Sequence, residues 1–115
     1  MILGTGIDII EIERIQKAIE RWGDEFLNYV YTPQEIKNAR EFKFPYRHYA
    51  GRFAAKEAIF KAMGNPRLSW QDITIINDKS GKPVCHYNKT DFKDRLLISI
   101  SHSRDYAVAS AIIEA

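Results

Sequence analysis

Gly51-Arg52-Phe53-Ala54-Ala55-Lys56-Glu57-Ala58-Ile59-Phe60-Lys61-Ala62-Met63-Gly64 is the stretch that decides the fold. Phe53, Phe60 and Met63 cover one side of it as a helix, and Ala54, Ala55, Ala58, Ile59 and Ala62 cover much of the other. A helix that is apolar nearly all round is buried, so the rest of the chain has to wrap it. Pro45 opens this helix, which is expected to run to about Met63 and to end at Gly64-Asn65-Pro66.

Working outward, residues 2–9 are β-branched and apolar and read as a buried strand. Residues 11–22 change to helical period, with Ile12, Ile15, Ala18, Ile19 and Trp22 in one stripe, and Gly23 stops them. A short helix follows at about 24–30. Thr32-Pro33-Gln34-Glu35 is a helix start, with Thr32 as N-cap, Pro33 at N1 and Glu35 at N3, and that helix is expected to reach about Phe42. Beyond the central helix, Asp72–Asn77 alternates as a strand, Asp78–Lys82 is a turn, and Pro83–Tyr87 is a second strand. Leu96–Ser101 and Tyr106–Ile113 are two more, joined by a turn around Ser103-Arg104-Asp105. Strands at both ends with helices between them predict an α+β fold, helices packed on one side of a mostly antiparallel sheet.

The 115 residues suffice for one domain and one core, residues 1–115. Apolar residues at 45% and charged residues at 28% exclude a disordered chain. A net charge of +2 gives no case for nucleic acid as a partner. One cysteine, Cys85, cannot form an intrachain disulfide, so a cytoplasmic location is the expectation. The N-terminus meets Asp8 early and lacks a basic leader region, so it does not read as a signal peptide. No apolar run approaches the ~20 residues of a membrane span.

Two carboxylates stand out. Asp8 interrupts an apolar run and Glu57 lies inside the apolar helix. A buried carboxylate is costly unless it is paired or binds a metal. If the fold brings the two together they form a hard-cation site, which suggests phosphate chemistry. Each has an ordinary reading as well. Asp8-x-x-Glu11 resembles a capping box, and Glu57 with Lys61 is an i, i+4 ion pair. In so apolar a helix, however, a Glu57–Lys61 pair needs a reason. Ser99-Ile100-Ser101-His102-Ser103, at a strand end, offers hydroxyls and an imidazole to phosphate oxygens; the plainer reading is a hydroxyl-stabilised turn with a solvated histidine.

Other patterns carry little. Gly4-x-Gly6 lacks the third glycine of a dinucleotide fingerprint, and Ser80-Gly81-Lys82 lacks the upstream glycine of a P-loop. No serine sits in a G-x-S-x-G elbow. Cys85 and His86 have no partners at zinc spacing, so Cys85 reads as structural. Arg14, Lys17 and Arg21 share one face of the first helix, either a solvated face or a dock for an acidic partner.

In this order the motifs resemble the small bacterial holo-acyl-carrier-protein synthases, a class of 4′-phosphopantetheinyl transferases. Gly6-Ile7-Asp8-Ile9 with Arg14-Ile15 is similar to the family's N-terminal motif. Gly51 through Ala58, with Lys61-Ala62 and Gly64, is similar to its central motif and is highly specific. Gly81-Lys82-Pro83 and Ser99-x-Ser101-His102 with Tyr106-Ala107 are weaker matches. The resemblance implies transfer of the phosphopantetheine arm of coenzyme A to a serine of an apo acyl carrier protein, with release of adenosine 3′,5′-bisphosphate. It implies Asp8 and Glu57 as ligands of Mg²⁺, Glu57 or a water as base, and Lys61 at the pyrophosphate. Arg52, Lys61, Gly64, Pro83, His102 and Ser103 are implied as coenzyme A contacts, and Arg14, Lys17 and Arg21 as the carrier dock. The larger branch of the superfamily has a third acid where this chain has Ile10. The resemblance further implies a homotrimer with sites shared between subunits, serving fatty acid biosynthesis. Two rivals remain: a non-catalytic coenzyme A- or nucleotide-binding module of the same fold, and a structural subunit whose acids only cap and bridge helices.

Overall fold

The computed structural model describes residues 1–65, 67–89 and 92–115. Strand β1 (Ile2–Glu11) leads directly into helix α1 (Ile12–Trp22), followed by α2 (Asp24–Val30), α3 (Pro33–Ala39) and the long α4 (Pro45–Met63). A short 3-10 turn (Trp70–Asp72) then opens the second half, with β2 (Ile73–Asn77), β3 (Pro83–Tyr87), β4 (Arg95–His102) and β5 (Tyr106–Glu114). Among the described residues no helix is long and apolar enough to cross a membrane.

The α+β class holds and every strand pairing is antiparallel, but the strands form two sheets rather than one. The first has the order β1-β5-β4, and the second is the β2–β3 hairpin. The reason lies in α4. Its Ala54, Ala55, Ala58 and Ile59 are wholly buried, in one cluster with Ala109 and Ala111 of β5, Ile98 of β4, and Ile73 and Ile75 of β2. The hairpin thus joins the larger sheet in covering α4, which is why that helix is apolar nearly all round. A second cluster, with Ile15, Val30, Tyr31, Ile36 and Tyr49, seats α1–α3 against the N-terminal half of α4.

Gly4 and Gly6 let β1 press against α4. A Cβ built on Gly6 would lie 1.9 Å from the Ala58 carbonyl oxygen, and one on Gly4 would lie 2.1 Å from that of Ala62. These glycines serve close packing, as a strand glycine under an approaching backbone does.

Three local expectations are corrected. Strand β1 is not buried on both faces: Leu3, Ile7 and Ile9 are exposed, and only the alternate positions turn toward α4. Asp8 is no helix cap: β1 continues to Glu11, Asp8 sits opposite Ala109 in the ladder, and the Ile12 N–H bonds the Asp105 carbonyl. Helix α3 stops at Ala39 and does not reach Phe42. Phe44 precedes Pro45 and is driven out of the helical region (φ −118°, ψ 76°), so the chain has to turn before it. Phe42 then stacks on the His48 ring of α4 at 4.2 Å. The Thr32–Glu35 capping box forms as expected. Gly64 ends α4 in the left-handed region, φ +60°, while Pro66 lies outside the described residues.

Candidate active site

Alternation along β1 turns Gly4, Gly6 and Asp8 toward α4. Lys61, near the end of α4, reaches across to that strand. Its Nζ donates to the Ile7 carbonyl at 2.9 Å and to Asp8 Oδ1 at 3.2 Å. Glu57 lies one turn before Lys61 and is half-buried. Burial pushes its carboxyl up, the charge of Asp8 pushes it further, and Lys61 opposes both. Asp8 and Glu57 are therefore close enough to repel. The ordinary i, i+4 reading, a Glu57–Lys61 ion pair, gives way to Lys61–Asp8, because β1 offers Lys61 both a carboxylate and a carbonyl.

Two facing carboxylates with oxygen donors fit a hard divalent cation, whose charge relieves their repulsion. Among the described residues no cluster of three or more His, Cys, Asp or Glu could hold a metal ion.

Among the described residues, the buried ion pair lies elsewhere. Lys56 is wholly buried and donates to Glu35 Oε1 at 2.6 Å, to the Val30 carbonyl at 2.9 Å and to the Trp70 carbonyl at 3.0 Å. Glu35 also accepts from the Thr32 and Ile75 N–H groups, each at 2.8 Å. The pair ties α2, α3, α4, the 3-10 turn and β2 at one point. Sequence reasoning gave Glu35 only its capping role and passed over Lys56. The available signal was a lysine among alanines in a buried helix.

A basic pocket of about 390 Å³ opens on the β4 side of α4. Arg52, Pro83 and His102, expected to act together, all line it, joined by His48, Arg47 and Lys43. Arg52 is nearly buried and donates to Asn77 Oδ1 at 2.8 Å, while its Nε and the Nε2 of His48 are buried without a partner. Burial, reinforced by Arg52 and His102, pushes His48 down to about 4. His102 is also lowered, by burial first and then by Arg47. An adjoining groove of about 750 Å³ shares Lys43, Phe44, Arg47 and His102 and extends to Ile12 and Gln16 of α1. Two unpaired polar edges and the cationic Lys43, Arg47 and Arg52 suit this pocket to an anion.

The other expected residues are placed differently. Ser103 lies on the rim of the groove, but its hydroxyl is engaged in the β4–β5 turn, accepting from the Tyr106 N–H at 3.1 Å. Ser99 and Ser101 face away from His102, because strand alternation turns them to the opposite side of the sheet. Gly64 lines neither cavity. Arg14, Lys17 and Arg21 are all exposed on α1; Lys17 pairs with Glu13 at 3.0 Å, and the Arg21 guanidinium sits 4.8 Å over the Trp22 ring. Cys85 belongs to the core margin, its thiol pushed up to about 12 by burial.

Within one chain the acidic cluster and the basic pocket stand apart. Asp8 is on β1 and His102 is on β4, at opposite edges of the three-stranded sheet with β5 between them.

A family model for the 4′-phosphopantetheinyl transferase superfamily matches residues 4–111. The chain is 47% identical to the holo-[acyl-carrier-protein] synthase of Protochlamydia amoebophila, over 97% of this chain and 98% of the relative. It is 48% identical to the protein of the same name from Clostridium tetani, over 99% and 97%. Among solved structures, the holo-(acyl-carrier-protein) synthase of Bacillus anthracis in complex with CoA (3′,5′-ADP) superposes with a TM-score of 0.87 at 40% identity, covering 100% of this chain and 98% of the other. The Helicobacter pylori enzyme in complex with coenzyme A gives 0.85 at 32% identity, covering 96% and 99%. On this evidence the chain belongs to the 4′-phosphopantetheinyl transferase superfamily, among its holo-acyl-carrier-protein synthases.

Proposed function

We propose that this chain transfers the 4′-phosphopantetheine group of coenzyme A to a serine hydroxyl of an apo acyl carrier protein, releasing adenosine 3′,5′-bisphosphate. The observation that carries the reading is the meeting of Asp8, Glu57 and Lys61 across β1 and α4. A binding module has no need of two repelling carboxylates beside an amine. A structural subunit would use Asp8 as a cap, and it is not one.

Asp8 and Glu57 would hold Mg²⁺. Bound there, the ion supplies charge neutralisation at the pyrophosphate. The serine Oγ attacks the phosphorus on the pantetheine side, and the pyrophosphate P–O bond breaks with its electrons leaving on adenosine bisphosphate. Glu57, half-buried beside the site of attack, takes the serine proton directly or through a water. Lys61 is exposed enough to reach the leaving oxygen and stabilise its charge. Arg52, His102 and Pro83 hold the nucleotide end, with Gly64 and Ser103 as further contacts, and the exposed Arg14, Lys17 and Arg21 dock the acidic carrier.

Coenzyme A then has to span two places that one chain keeps on opposite sheet edges. We infer a homotrimer in which one subunit's acidic cluster faces its neighbour's basic pocket. The sheet face away from α4 supports this, since Leu3, Ile7 and Ile9 are 52%, 65% and 62% exposed. So much open apolar surface is what subunit contacts cover. The role would be carrier activation for fatty acid synthesis in the cytoplasm.

The test mixes the protein with coenzyme A, Mg²⁺ and an apo carrier of known competence, and weighs the carrier. No added phosphopantetheine mass refutes the reaction. Shared sites are tested by mixing Asp8→Ala and Arg52→Ala chains after dissociation. Activity should return in the mixture, and its absence would count against sites built by two subunits.

A further inference from the structure

We propose that Lys61 and the divalent cation compete for the Asp8 carboxylate, so that cation binding releases the Lys61 ammonium toward the substrate. The inference rests on the reading of Asp8 and Glu57 as metal ligands and adds an order of events to it.

Lys61 bypasses its i, i+4 neighbour Glu57 and crosses to β1, where it touches Asp8 Oδ1 at 3.2 Å and the Ile7 carbonyl at 2.9 Å. The two partners differ in freedom. The Asp8 side chain is 16% exposed and is fixed in the middle of a paired strand, whereas the Lys61 side chain is 53% exposed on four rotatable bonds. When the pair breaks, it is therefore the amine that moves. A partly exposed pair of this kind is weak. A doubly charged ion drawing on both carboxylates has the stronger claim, and once seated it repels an ammonium bound to the same group. The amine that neutralises Asp8 is then free to serve the pyrophosphate. Lys61 thus engages the substrate only after the acidic pair has been neutralised by the cation.

The test uses the full-length chain and Mn²⁺ without coenzyme A. Lys61 is acylated with a small amine reagent and its modification is followed by peptide mass spectrometry, with exposed Lys37 as reference. In parallel, Mn²⁺ binding is measured by electron paramagnetic resonance for the wild type, Lys61→Met and Asp8→Asn. Labelling of Lys61 should rise about threefold with Mn²⁺ while Lys37 stays constant, and Lys61→Met should bind Mn²⁺ about threefold more tightly, the scale of a weak ion pair. In Asp8→Asn, labelling should be high from the start and indifferent to Mn²⁺. If Mn²⁺ binds the wild type yet Lys61 labelling is flat, or Lys61→Met binds no more tightly, ammonium and cation coexist on Asp8 and the competition is refuted. If no form binds Mn²⁺, the metal reading of Asp8 and Glu57 fails first and the competition falls with it.

Discussion

Lys56→Met should be the most damaging conservative substitution in the molecule. Methionine fills nearly the same space but removes three hydrogen bonds, to Glu35 Oε1, the Val30 carbonyl and the Trp70 carbonyl. Glu35 would keep its two backbone donors, from Thr32 and Ile75, and would still be a wholly buried charge without a hydrogen-bonded counterion. Breaking a buried pair on one side costs about 3–5 kcal/mol. Set against a typical domain stability of about 5–15 kcal/mol, that removes a large part of the total. Urea unfolding followed by circular dichroism should show the loss as a lower midpoint at unchanged slope. The double variant Glu35→Leu/Lys56→Met should recover only part of it: the unpaired charge is gone, but the Thr32 and Ile75 N–H groups and the Val30 and Trp70 carbonyls lose their partners. A Lys56→Met chain within about 1 kcal/mol of the wild type would refute the reasoning, because the pair would then behave like an exposed one.

Three further outcomes follow from the same geometry. Gly6→Ala sets a Cβ 1.9 Å from the Ala58 carbonyl, so β1 or α4 has to shift; we expect a loss of about 1–3 kcal/mol or more by thermal unfolding, and an unchanged midpoint would contradict the contact. His48 is held at about 4 in the fold, below its ordinary 6.5, so the unfolded chain binds more protons between those values. Stability should therefore fall as pH drops from about 6.5 to 4, by up to about 3 kcal/mol from this group, with His102 adding in the same direction. His48→Phe should flatten that slope in urea titrations at several pH values, and an undiminished slope would assign it elsewhere. Glu57→Gln should unfold within a few degrees of the wild type while losing about 100-fold or more in transfer rate, since Glu57 is half-buried and outside the core clusters. A large drop in stability with activity retained would make Glu57 structural.

Much of the fold is legible because period and punctuation agree. The Gly23 stop, the Thr32-Pro33-Gln34-Glu35 start and the Gly64 stop each fall where the helices break. What stays hidden depends on residues far apart in sequence. The Lys61 partner is decided by β1 arriving beside α4, so the local i, i+4 rule points to Glu57 instead. Lys56 finds Glu35 across 21 positions, and nothing local distinguishes it from a surface lysine except its alanine neighbours. Ser99 and Ser101 stand beside His102 in the linear motif, yet alternation parts them. The division into two sheets reflects how α4 is wrapped, which no single strand announces.

The central claim is that Asp8, Glu57 and Lys61 form a phosphoryl-transfer centre for coenzyme A. Its most direct test is a mass-spectrometric time course of an apo acyl carrier protein with coenzyme A and Mg²⁺, comparing the wild type with Asp8→Ala. The account predicts phosphopantetheine addition by the wild type and a loss of at least about 100-fold in Asp8→Ala, with both chains folded. Modification by Asp8→Ala at the wild-type rate would contradict it.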